Sequence, residues 1–239
     1  MADFRPLYIS QQLLATLGTH LYVHHRDRVP LDDAVIVVSN HRSFMDACVL
    51  MAALQRPVRF ACHHYMGEVP VMRDFVEGLG CFPLETPDRR QHAFFEQAGR
   101  LLETQQVVGI FPEGTRPMVN LKPPNSLRKF HRGFAHLALR IPVRNLAVLP
   151  VAIAARAELN SPAIPLKALH WIDPSEPLFN QSGWHPLVLY QQVTAFIGEP
   201  IWIRESDRQD YAGKGARQAV QSLTDRCHEE IGTLLQQAF

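Results

Sequence analysis

Three runs of this chain are apolar at almost every position, and they limit the fold more than any other feature. Ala34-Val35-Ile36-Val37-Val38, Val107-Val108-Gly109-Ile110-Phe111 and Ala147–Ala154 show no alternation of apolar and polar residues. A strand with one wet face alternates, so these three must be covered on both faces. Parallel sheets flanked by helices provide that cover. Helical spacing fills the gaps between the runs: from about Ser43 to Leu54, over Val71–Leu79, over Arg90–Thr104 and over Gly133–Arg140. Val58–Cys62 and Cys81–Leu84 read as short extended pieces, and Leu187–Tyr190, Val193–Ile197 and Ile201–Ile203 as later strands. Ala216–Gln237 reads as a closing amphipathic helix. The expected fold is α/β: one domain with a largely parallel central sheet flanked by helices. Loops are expected over Pro117–Ser126 and over Glu158–Pro186, where prolines recur.

Ahead of the sheet, Ile9, Leu13, Leu14, Leu17 and Leu21 recur at helical spacing, with Tyr8 and Tyr22 near the two ends. Residues 1–30 are therefore expected to form an amphipathic helical segment, and 31–239 the main domain. Two roles stand open for that helix: an anchor lying in a bilayer interface, or a cover for the domain's own core. No stretch reaches the roughly 18 apolar residues of a membrane span, and the first residues lack the pattern of a signal peptide. Basic and acidic residues number 24 and 23, so no global charge argues for nucleic acid. Cys48, Cys62, Cys81 and Cys227 form no CxxC pair and read as reduced thiols of a cytosolic protein. Cys62-His63-His64 has no second ligand cluster at zinc spacing, so neither a metal nor another resident cofactor is expected.

Chemistry concentrates in two segments, each directly after a buried strand, where ligands meet α/β sheets. In Asn40-His41-Arg42-Ser43-Phe44-Met45-Asp46, an imidazole precedes a carboxylate by five positions. His41 can take a proton from an attacking hydroxyl if Asp46 holds its ring in the right tautomer. A local reading is compatible with this one: Ser43 and Asp46 have the spacing of a helix capping box. The second segment is Phe111-Pro112-Glu113-Gly114-Thr115-Arg116. Gly114 permits close backbone approach, Thr115 offers a hydroxyl and Arg116 a planar fork suited to phosphate. Glu113 either accepts a hydrogen bond from a substrate hydroxyl or fixes the arginine. The alternative is an exposed turn closed by a Glu113–Arg116 ion pair. Lys122, Arg128, Lys129 and Arg132 form a basic cluster just beyond, fit for anionic groups or simply solvated.

Taken together, Asn40-His41 through Asp46 and Phe111 through Arg116 resemble the paired blocks of the glycerolipid acyltransferase family. The likeness is greatest to bacterial 1-acylglycerol-3-phosphate acyltransferases, and it runs from about Val35 to Ile203. Lys129–Ala138 and Val148–Ile153 look like two further blocks. One block departs: in Gly80–Arg89, Thr86 stands where the family has its first arginine, while Arg89 keeps the second. The resemblance implies transfer of a fatty acyl group from acyl-CoA or acyl-carrier protein to the free hydroxyl of 1-acylglycerol-3-phosphate, giving phosphatidic acid. It implies His41 as general base with Asp46, and Glu113, Gly114, Thr115, Arg116 and Arg89 at the acceptor. It also implies a peripheral protein on the cytoplasmic face of a membrane. Thr86 keeps another acceptor open, either glycerol 3-phosphate or a different lysophospholipid. A non-catalytic lipid-binding protein is the rival of another class, and intact His41 and Asp46 count against it. A hydrolase is remote, because no Gly-x-Ser-x-Gly elbow is present.

Overall fold

The computed structural model describes residues 3–62, 70–83, 90–114, 120–172 and 179–238. Ala34–Ser39 (β2) is buried at every position and stands mid-way across an eight-stranded sheet. Its Ala34, Ile36 and Val38 enter one apolar cluster, and Val35 and Val37 enter the cluster on the opposite face. Val35, Ile36, Val37 and Val38 each contribute about 1.5–3 kcal/mol when fully buried, which favours an unbroken apolar run up to Ser39. On one side β2 runs parallel to β5 (Val107–Ile110), then come β3 (Val58–Cys62) and β4 (Phe82–Pro83), all parallel. On the other side β2 runs parallel to β6 (Leu146–Pro165). Antiparallel β7 (Trp184–Ile197) pairs with β6, and β1 (His20–His24) pairs parallel with β7. The short β8 (Ile201–Trp202) pairs antiparallel with the start of β6.

Helices cover both faces, as the apolar runs require. Arg90–Glu103 (α4), Gly133–Arg140 (α5) and Ala216–Gln237 (α8) close one apolar cluster. Asp46–Leu54 (α2) fills the other, and is apolar almost all round its axis, with every residue but Ala47 buried. A helix of that kind needs cover on its outer side too. Arg5–Thr16 (α1) supplies it through Pro6, Leu7, Ser10 and Leu14, with the Ser10 hydroxyl 3.4 Å from Met51 Sδ. Pro70–Gly78 (α3), Leu166–Ile172 (α6) and Glu205–Ala212 (α7) are the remaining α-helices among the described residues. All four thiols are free, and burial pushes them up to about 11 for Cys48 and Cys62 and about 12 for Cys81 and Cys227.

Two expectations fail here. The N-terminal helix stops at Thr16, because Gly18 adopts a left-handed φ of 66° and turns the chain. Leu21 and Tyr22 then lie on β1, paired with β7 in the main sheet, where helix was expected. The expected loop over Glu158–Pro186 is largely a two-stranded arm, the extension of β6 and β7 beyond the rest of the sheet. Its prolines are tolerated because each strand of a ribbon has one edge with no partner to bond; Pro162 faces Pro186 across the pair.

Candidate active site

The parallel strands β2 and β5 both end at the same edge of the sheet, and the loops that follow meet there. Asn40 leaves β2 first. Its side-chain amide accepts from Ile153 N and donates to Ile153 O, both at 2.8 Å, so a side chain prolongs the pairing of β2 with β6. His41 is thereby fixed at the sheet edge. Its Nδ1 lies 2.9 Å from Asp46 Oδ2, although the imidazole keeps 14 % exposure while the carboxylate has none. Since a carboxylate only accepts, Nδ1 carries a proton, and in the neutral ring Nε2 is then the nitrogen with the lone pair.

Asp46 is heavily engaged. Oδ2 also accepts from Arg42 N at 2.6 Å and Ser43 N at 2.8 Å, and Oδ1 accepts from the Tyr190 hydroxyl at 2.6 Å. The carboxylate sits in the first turn of α2, where the helix dipole favours a negative charge. Half of the expected capping box is present, the bond from Ser43 N. The Ser43 hydroxyl instead accepts from Met45 N and donates to Val188 O at 2.7 Å. Tyr190 is fully buried, and that burial, with the adjacent Asp46, raises its hydroxyl well above the usual range. It stays a neutral donor.

Glu113 holds the other side of His41. It is 4 % exposed, and it accepts from His41 N at 3.2 Å and from Arg128 N at 2.7 Å. Burial pushes its carboxyl up, against the pull of those two N–H groups. The carboxylate thus straps two loops together through their backbones. Gly114 takes a left-handed φ of 70°, closing a turn with Gly114 N on Phe111 O at 3.1 Å. Thr115, Arg116 and Arg89 lie outside the described residues, as do Thr86, His63 and His64.

An aromatic stack supports the imidazole from beneath. Phe111 lies parallel to His41 at 4.1 Å between centroids, and Phe60 stacks on Phe111 at 5.2 Å. The stack explains a glycine inside a buried strand: a Cβ on Gly109 would come within 2.1 Å of the Phe60 ring. Beside it, Arg42 forms a two-pronged pair with Glu158, at 2.7 and 2.5 Å, and also donates to Lys122 O. That pair holds the root of the β6–β7 arm against the loop carrying His41. A small recess lined by Asn40, His41, Arg42, Glu113, Lys122 and Ser126 opens over the imidazole. A second hollow alongside it is lined by Lys122, Arg128, Lys129 and His131. Burial and the neighbouring Arg128 lower the Lys122 ammonium below its ordinary value.

The structure thus brings His41, Asp46, Glu113 and Gly114 to one edge. Asn40, Tyr190 and the Arg42–Glu158 pair escaped sequence reasoning as site residues. Asn40 carried a signal, an amide directly after a buried strand; Tyr190, 144 positions from Asp46, carried none. Comparison with known proteins now decides the family. The acyltransferase family profile matches residues 20–154, more than half of the chain. This chain belongs to the acyltransferase family. It is an enzyme of acyltransferase type, and its α/β fold is like that of the crystal structure of the 1-acyl-sn-glycerophosphate (LPA) acyltransferase PlsC from Thermotoga maritima. The TM-score is 0.63 at 18 % identity, over 98 % of this chain and 78 % of that one. Comparison with curated protein sequences gives no match. Among the described residues no helix is long and apolar enough to cross a membrane, and no group of three metal-ligating side chains gathers.

Proposed function

We propose that this acyltransferase moves a fatty acyl group from an acyl thioester, acyl-CoA or acyl-carrier protein, to the free hydroxyl of 1-acylglycerol-3-phosphate. The observation that carries the proposal is the His41 Nδ1–Asp46 Oδ2 contact of 2.9 Å at the mouth of a recess. In this reading Nε2 takes the proton of the acceptor hydroxyl as its oxygen attacks the thioester carbonyl. Asp46, already holding Nδ1–H, stabilises the imidazolium that forms. The tetrahedral adduct then collapses, the C–S bond breaks, and the imidazolium returns its proton to the departing thiolate. The thiolate leaves readily, so no covalent enzyme intermediate is required. General-base assistance supplies about 100- to 10,000-fold, and alignment of two bound substrates much of the rest.

Arg116, with Arg89, is assigned to the acceptor phosphate, and Thr115 to its glycerol oxygens. Glu113 and Gly114 support that loop rather than reaching into solvent. Lys122 and Arg128 offer further positive charge beside the recess. Thr86 favours a second reading, in which the acceptor is glycerol 3-phosphate or a lysophospholipid with another headgroup. The protein is assigned to the cytoplasmic face of a membrane, where such acceptors reside. The test is turnover of a labelled acyl thioester by purified protein with a panel of these acceptors. The expected result is preference for 1-acylglycerol-3-phosphate, and loss of turnover by about 100-fold or more in His41→Ala without loss of fold. Unchanged turnover in that variant would sink the base assignment.

A further inference from the structure

The most exposed aromatic side chain among the described residues is Trp171, at 91 %, and it belongs to the arm that begins at the catalytic loop. Five of the eleven large apolar side chains exposed among the described residues lie on that arm: Leu159, Ile164, Trp171, Trp184 and Leu187. The pairing register explains their disposition. Leu159 faces Leu189, Ser161 faces Leu187 and Ile164 faces His185, so Leu159, Leu187 and Ile164 share one face of the ribbon. At the far end, Leu166, Leu169 and Phe179 form a small core of their own, and this fixes α6 against the ribbon. Trp171 lies about 200° round the helix from Leu169, so the same packing turns its indole outward.

We infer that this arm is a bilayer-docking element. Its tip enters the headgroup layer of an anionic membrane end-on, carrying Trp171, Ile164 and, on the opposite face of the ribbon, Trp184. The choice of a bilayer rests on the lipid acceptor proposed above, and on three features of the arm itself. Indole rings combine an apolar body with an N–H donor and suit the membrane–water interface. Over Leu159–Trp171 and Phe179–Leu189 the only fully charged side chain is Lys167 (Asp173 and Glu176 fall in 173–178, outside the described residues). At the root, Lys122, Arg128 and Lys129 gather positive charge beside the recess, matching anionic headgroups. The arm is tied to the site by the Arg42–Glu158 pair and the Ser43–Val188 bond. It reaches roughly 20 Å beyond Glu158, at about 3.3 Å per residue. Docked by its tip, it tethers the site around His41 to the lipid surface. Of the two roles left open for the N-terminal helix, its buried residues favour the cover: Pro6, Leu7, Ser10 and Leu14 pack on α2.

The test uses vesicles of phosphatidylcholine and phosphatidylglycerol in equal parts, with no substrate present. The wild-type protein is expected to sediment with them, and the Trp171→Ser/Trp184→Ser double variant to bind about 100-fold more weakly, roughly tenfold for each indole. Its circular dichroism should be unchanged, since neither side chain is buried. A protein retaining only Trp171 should shift its emission to the blue on vesicle addition. One retaining only Trp202, which pairs with Ala147 at the opposite end of β6, should not. Full binding by the double variant would overturn the inference. So would a wild type that never sediments, loss of binding in Tyr8→Ser/Leu17→Ser instead, or a tryptophan-dependent dimer. Absence of acyl transfer in a protein that still binds through the arm would overturn the proposed function and leave the docking intact.

Discussion

Two buried carboxylates hold His41, and they hold different parts of it. Asp46 grips the ring: it lies five positions along the chain and gathers four donors from its own loop and from Tyr190. Glu113 grips the backbone: it lies 72 positions away and joins the His41 loop to the Arg128 loop. The first carboxylate governs which nitrogen carries a proton, and the second governs where the whole residue stands. The contrast teaches that a buried carboxylate lining a recess can serve to hold backbone rather than a side chain. When both its oxygens are taken by backbone N–H groups, it acts as framework.

The largest expected effect comes from Asp46→Asn, which would give the ring a donor where it needs an acceptor. In serine-protease triads such a change lowers kcat by about 10,000-fold, and a loss of that order is expected here with KM little altered. Steady-state kinetics check it; a loss confined to KM would erase the distinction between the two carboxylates.

Glu113→Gln comes next. An amide can accept from only one of the two N–H groups and opposes the other, at a cost of about 1–3 kcal/mol. Both kcat and KM should worsen, and the melting temperature should fall. The pH dependence sharpens the test. The Glu113 carboxyl is raised in the folded state from its ordinary 4.5, so the native protein holds this proton after the unfolded chain has released it. Stability therefore declines as pH rises through the window just above 4.5, in the wild type only. Wild type minus Gln variant in melting temperature should grow on acidification through that window. A difference that stays flat would mean the carboxylate is not desolvated.

The smallest effect is expected from Tyr190→Phe, which removes one of four donors to Asp46 and leaves the packing in place. A hydrogen bond to a buried charge contributes about 1.5–3 kcal/mol, so a drop in stability of that size is expected, measured by denaturant titration. Turnover should fall only several-fold, because Oδ2 keeps its three partners. A loss matching that of Asp46→Asn would make the phenol an equal member of the ring-holding group.

Much of the fold was legible because β2, β5 and the first half of β6 are apolar on both faces, and only a covered sheet accepts such runs. His41 and Asp46 were legible because they share one loop and one helix end. The rest depended on contacts that distance along the chain conceals. Tyr190 reaches Asp46 from a strand read only for its apolar neighbours. The role of α1 could have been reasoned out: a helix as apolar as Asp46–Leu54 leaves its outer side uncovered unless another segment lies on it. The arm was missed because prolines signal loops in a closed sheet, whereas a lone ribbon has edges that ask nothing of them.

The burial of Cys48, Cys62 and Cys227, with Cys81 half-buried, has a practical outcome. A thiol protonated up to about pH 11 or 12 presents almost no nucleophilic sulfur at neutral pH. A sulfhydryl-sensitive dye added to the folded protein is thus expected to react little with Cys48, Cys62 and Cys227, and a signal that grows with turnover would report the thiol freed from the acyl donor proposed above. A late burst worth four equivalents per chain would mark denaturation, not activity.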